Sequence, residues 1–130
     1  MYIVQDIMEE PWVVEFYETT TGRPVLFEEL RDLLTPRQRA KFWRDIRRLE
    51  THGPHLDADY FHSVRGSETR LGEFRLTLDT VEFRLLFSLA PQRKYLMLVA
   101  YKEKKGDIPR PKIRTAEQRL REWRTRHCED

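Results

Sequence analysis

The amino-acid sequence predicts an α+β domain: an N-terminal strand, a helical hairpin, an antiparallel sheet of three to four further strands, and a C-terminal helix. Three observations predict it. Phe74, Leu76 and Leu78 alternate with Glu73, Arg75 and Thr77, and beyond Asp79-Thr80 the residues Phe83, Leu85 and Phe87 alternate with Glu82 and Arg84. Period two over two runs with a short break is an antiparallel hairpin with one buried face. Residues 95–101 form an unbroken apolar run of strand length, the pattern of a central, well-buried strand. Helical periodicity is confined to segments before and after these strands, which favours α+β over an alternating α/β order.

Residues 1–11 read as a loose leader ending at Pro11, residues 12–126 as one domain, and residues 127–130 as a tail. Trp12 to Tyr17 is rich in strand formers and makes the first strand. Thr19 to Pro24 is turn material. Val25, Phe27, Leu30, Leu33 and Leu34 fit a short helix over 25–34. Thr35-Pro36 then supplies an N-cap followed by proline at the first helical position. The second helix runs to about Thr51, with Ala40, Trp43 or Phe42, Ile46 and Leu49 inward, and His52-Gly53-Pro54 stops it. A short strand is expected within 61–65. After the hairpin, Ala90-Pro91-Gln92 breaks the chain, and residues 102–111 form a basic loop. The last helix spans 112–126 with Ile113, Ala116, Leu120 and Trp123 on one face.

At 130 residues the chain has one domain with a real core. Hydrophobic residues make up 39% and charged residues 35%, which excludes a disordered polypeptide. No apolar run reaches the roughly 20 residues of a membrane span, and no secretory segment is evident. The single cysteine, Cys128, cannot make an intrachain disulfide, so a reducing cytoplasm is expected. The net charge of +2 conceals an asymmetry, with −6 over residues 1–34 and +8 over residues 91–126. A basic region points to a polyanion partner, although a solvated helix and loop give the same count.

A turn centred on Asp79-Thr80 sets Arg75 directly across from Arg84. Two like charges opposed on one face are unfavourable. Such a sheet is expected to offer the pair an anion, and a phosphodiester is the candidate. The alternative is that both arginines pair with Glu73 and Glu82 across the strands. His52, His55 and His62 lack ligand spacing, so neither metal nor cofactor is expected.

The chain resembles the RelE/HigB-type toxins of bacterial toxin–antitoxin systems, in particular their phage-related branch. The matching pieces keep their order: Trp12-Val13-Val14-Glu15-Phe16-Tyr17, Gly22-Arg23-Pro24-Val25, the end of the second helix at Leu49 to Gly53, Leu71-Gly72-Glu73-Phe74-Arg75, Phe83-Arg84-Leu85-Leu86-Phe87, Tyr101-Lys102-Glu103-Lys104 running on to Pro109, and Ile113, Ala116, Arg119 and Leu120 in the tail. The resemblance implies a RelE-like fold and a metal-independent endoribonuclease that cuts mRNA, commonly in the ribosomal A site, and is held in check by a cognate antitoxin of the helix-turn-helix type. It assigns Arg75 and Arg84 to the family's sheet arginines and Lys102, Lys104 and Lys105 to the basic residues after the last strand. Tyr101 and Arg70 are further candidate RNA contacts. The chain departs from many relatives at Val99 and Ala100, where they carry a His-Gly pair. It also departs at Glu103, Gly106 and Asp107.

Metal-free RNA cleavage needs a base for the 2′-hydroxyl, cations for the phosphorane-like state and an acid for the leaving 5′-oxygen. Arg75 and Arg84 suit phosphate clamping. Lys102 or Lys104, crowded by cations, is a candidate base or acid, and Glu73 is the rival base. Tyr101 either stacks on a base or belongs to the core. Two other functions fit the same fold: a toxin that poisons DNA gyrase without cutting RNA, and a phage-derived basic binding module without toxicity.

Overall fold

The computed structural model describes residues 11–55, 61–64, 69–103 and 108–127. In chain order they form β1 (Val13–Phe16), α1 (Val25–Leu33), α2 (Pro36–His52), a short 3-10 turn (Gly53–His55), β2 (Phe61–Ser63), β3 (Gly72–Leu78), β4 (Val81–Ala90), β5 (Lys94–Lys102) and α3 (Arg110–Arg126). The five strands make one sheet in the order β1-β5-β4-β3-β2. Only β1 is parallel to its neighbour β5; the other pairings are antiparallel. The expected α+β architecture is observed, with four strands following the helical hairpin.

Local chemistry explains the boundaries. Thr35 Oγ1 accepts from Gln38 N at 3.2 Å, while Gln38 Oε1 accepts from Thr35 N at 2.9 Å. This reciprocal box satisfies two donors at the start of α2. Phe42, Ile46 and Leu49 form the buried stripe of α2. Ala40, expected inward, is exposed, because it lies about 200° around the helix from Phe42 at roughly 100° per residue. In α1 the inward residues are Leu26 and Leu30. Phe27 is exposed at the rim, where its ring meets Phe16 at 4.9 Å and Trp43 at 5.7 Å. The β3–β4 turn holds both Asp79 and Thr80 in the left-handed region, at φ 53° and 68°. That pair of conformations matches the twist of a two-residue hairpin.

The sheet is covered on both faces. Helices α1 and α2 lie on one face, where Leu26, Leu30, Phe42, Ile46 and Leu49 join Phe74, Leu76, Leu78, Phe83 and Leu85. On the other, Ile113, Ala116, Leu120 and Trp123 of α3 join Leu86, Leu96, Leu98 and Val99. These are the four positions expected from the sequence of α3. No described helix is long and apolar enough to cross a membrane.

One irregularity sets the geometry of the site. Leu86 pairs with Val99 but Phe87 pairs with Met97, so Leu98 has no opposite residue. An extra residue in one strand is a β-bulge and inverts the facing of everything beyond it. Leu98 and Val99 consequently both belong to the α3 side. Tyr101 is brought to that side as well, opposite Arg84.

Candidate functional site

Period two along β3 sets Glu73 and Arg75 on the α3 side of the sheet, and the hairpin register sets Arg84 opposite Arg75, as expected. Glu73, only 2% exposed, sits between the two guanidinium groups. Its Oε1 accepts from Arg75 Nε at 2.8 Å, and its Oε2 accepts from Arg84 Nη1 at 2.7 Å. Tyr101 donates its hydroxyl to the same Oε2 over a long 3.5 Å. Arg84 Nη2 meets Glu103 Oε2 at 2.7 Å. Like charges across the strands thus share one buried carboxylate, and one of them holds a second. Burial alone would weaken the charged form of Arg84, but hydrogen bonds to Glu103 and Glu73 outweigh it and raise its pKa above the ordinary arginine value. Burial, aided by the Glu73 charge, pushes the Tyr101 pKa up to about 12, so its hydroxyl is a donor at neutral pH.

Several expectations change here. The anion between Arg75 and Arg84 is Glu73 of the chain itself, where a phosphodiester was expected. Glu82 takes no part in it: its carboxylate accepts from Thr77 Oγ1 at 2.9 Å. Arg84 is largely enclosed, with its side chain 11% exposed. Its Nε is buried without a hydrogen-bond partner among the described residues. Arg75 is different: its side chain is 39% exposed, and only Nε is engaged among the described residues. Tyr101, offered as a surface for base stacking, is buried at 7% within the α3-side core. Lys102 is exposed but pairs with Phe83, whose ring belongs to the α1–α2 side. Side chains of directly paired residues share a face, so Lys102 leaves the sheet on the side opposite Arg75 and Arg84. Lys104 and Lys105 lie outside the described residues. Arg70 is exposed just before β3 and lines a cleft of about 780 Å³ with Ser63, Val64, Ser88, Leu89 and Arg124.

Glu103 is the partner that sequence reasoning missed. Its spacing two residues after Tyr101 carries no signal by itself, because Tyr101's own facing is set by the bulge; in the structure the Glu103 N–H extends the strand pairing to Glu82 O at 2.9 Å. Chemically, the cluster is a rigid support for Arg75. Glu73 holds that guanidinium by one nitrogen and leaves its two terminal nitrogens free to form a bidentate pair with an incoming anion.

No curated protein matches this chain. The family profile described as Phage derived protein Gp49-like (DUF891) matches residues 28–121, a span from α1 into α3 that includes Glu73, Arg75, Arg84 and Glu103. The chain therefore belongs to this Gp49-like phage-derived family, a toxin–antitoxin-associated family of RelE/ParE-like toxins.

Proposed function

We propose that the protein is the toxin of a toxin–antitoxin pair and acts as a metal-independent mRNA endoribonuclease of the RelE/HigB kind at the ribosome. A helix-turn-helix antitoxin would restrain it. The observation that carries this reading is Arg75: a half-exposed guanidinium, fixed at Nε by a buried carboxylate, with its terminal nitrogens open. Holding a cation rigidly before substrate arrives is what electrostatic stabilisation of a phosphorane-like state requires. In this scheme Arg75 contacts the scissile phosphate. Glu73 and Arg84 are positioning residues, since each is enclosed and occupied by its partners. A bridging Glu73 is poorly suited to accept the 2′-hydroxyl proton, because both its oxygens already receive guanidinium hydrogens. The base and acid are then sought in Lys102 and the lysines after it; Lys102 emerges on the opposite side of the sheet, which leaves Lys104 as the remaining candidate of the two.

The enclosed state of Arg84 also favours a rival, a binding module on the same fold in which the cluster is purely structural. Controlled expression separates the two. Wild type and Arg75→Ala are compared by growth and by primer extension on total mRNA. The nuclease reading expects growth arrest with codon-phased breaks that vanish in Arg75→Ala. Soluble wild-type protein with no growth effect and intact message would reject it, and arrest with intact message and DNA damage would point to gyrase.

A further inference from the structure

The two arginines opposed on β3 and β4 are compensated by carboxylates of the fold, whereas other cations on the same side of the molecule, Arg70 and Arg124 among them, have no such partner among the described residues. Arg70 and Arg124 are exposed, and neither makes an ion pair or side-chain hydrogen bond among the described residues. Both line the cleft of about 780 Å³ beside β3 and β4. A second cleft of about 710 Å³ adjoins it at Leu89 and Arg124 and runs along the end of α3 past Lys94, Trp123 and His127. Among the described residues, none of those lining either cleft is acidic. Uncommitted guanidinium groups on a cleft without carboxylates make an anion site, and apolar residues on the same walls call for a ligand that is more than a bare ion.

We infer that this double cleft is a binding subsite for single-stranded RNA flanking the phosphate held at Arg75, with Arg70 and Arg124 on its backbone. The inference rests on the nuclease reading above. Arg84, Leu86 and Ser88 lie on one side of β4, and Ser88 lines the cleft. The four steps from Arg84 to Ser88 span roughly 13 Å at about 3.3 Å each, the length of about four nucleotides of a stacked strand at ~3.4 Å each. One observation favours RNA over an acidic peptide: the far wall ends in an aromatic stack, with the exposed His127 ring 4.0 Å from Trp123 at 14°. A nucleobase can extend such a stack, as bases do on exposed rings in single-strand sites.

The test uses fluorescence anisotropy with 2′-O-methyl RNA oligonucleotides of increasing length, which bind without being cut. Arg70→Ala/Arg124→Ala, His127→Ala and Arg75→Ala are compared with wild type, with circular dichroism to verify folding. All four positions are exposed or half-exposed, so the substitutions spare the core. For long oligonucleotides the double variant should bind about tenfold more weakly and lower the slope of log K against log salt by about 1.4, two phosphates at about 0.7 each. His127→Ala should weaken binding without changing that slope. For the shortest oligonucleotides, only Arg75→Ala should matter. A wild type that binds RNA, with Arg75→Ala impaired and the double variant unchanged at every length, would overturn the subsite while sparing the nuclease reading. A wild type that binds no RNA, or binds only an acidic peptide through Arg70 and Arg124, would overturn both.

Discussion

Replacing Glu73 by glutamine keeps the shape of the side chain and removes the charge shared by Arg75 and Arg84. Breaking a buried ion pair from one side costs about 3–5 kcal/mol, because the remaining charge stays desolvated. Two features place the expected loss at the lower end. Arg75 is 39% exposed at its side chain, so water screens its share to about 0–1 kcal/mol. Arg84 keeps Glu103 at 2.7 Å. A loss of about 3 kcal/mol is expected, which at roughly 4 °C per kcal/mol for a chain of this size lowers Tm by about 12 °C. Urea denaturation should show a lower midpoint with an unchanged m-value. A double-mutant cycle with Arg84→Met isolates the pair, since the combined variant should lose about 1–3 kcal/mol less than the sum of the single losses. A loss below about 1 kcal/mol for Glu73→Gln, or strict additivity in the cycle, would refute the view that this carboxylate holds the arginine pair together.

Four other perturbations follow from the same structure. Gly72→Ala would put a Cβ 2.4 Å from Cζ of the Phe87 ring, which is itself packed on Tyr95 at 5.4 Å; a loss of about 1–3 kcal/mol is expected in a thermal melt, and an unchanged Tm would contradict the packing. Thr80→Gly relieves a β-branched residue held at φ 68°, so it should stabilise by about 0.5–1 kcal/mol once the added unfolded-state entropy is subtracted; a lower Tm would speak against the turn geometry. Burial raises Tyr95 and Tyr101 to about 12 from an unfolded value of 10. Stability is therefore unaffected by them below pH 10 and falls as pH rises toward 12, where the unfolded chain releases protons that the fold retains. Tyr101→Phe should flatten that alkaline limb, and normal titration of both tyrosines by ultraviolet absorbance would count against it. At Glu15 burial acts upward, but hydrogen bonds from Lys94 and Trp123 outweigh it and lower the pKa. Its contribution is thus present above the unfolded value of 4.5 and lost as pH falls through the lower folded value; Glu15→Gln should show a shallower acid limb in stability measured against pH.

The parts of this fold legible in the sequence are those where one face differs from the other. Glu73 to Phe87 alternates except at Leu86, so strands, turn and the Arg75–Arg84 opposition all follow, and a one-residue slip would have exposed Phe74, Leu76 and Leu78. Helix α3 likewise carries one apolar stripe, and its four buried residues are those the spacing selects. Strand β5 has no such contrast. Residues 95–101 are apolar on both faces, so the bulge at Leu98 leaves no trace in the pattern, and the facing of everything after it cannot be assigned. The spacing therefore groups Lys102 with the arginines although it emerges across the sheet, and gives no sign that Glu103 is the second carboxylate on Arg84.

The arginine pair finds its anion within the chain for a related reason. Opposed arginines do require an anion, but a requirement for charge carries no label saying whether ligand or protein supplies it. Glu73, two residues from Arg75 on the same strand face, was the nearest supplier and needed no additional ordering. The consequence for function is specific. A cation already joined to a buried carboxylate adds little attraction for a polyanion, because the field of the pair falls off faster than that of a lone charge. On the proposed reading, long-range attraction of a nucleic acid would come from groups without carboxylate partners among the described residues, such as Arg70, Arg124 and the open end of Arg75. In the proposed nuclease, binding strength and cleavage geometry would fall to different residues: the compensated cluster would fix where a phosphate sits, and the uncompensated rim would determine how strongly the strand that carries it is drawn in.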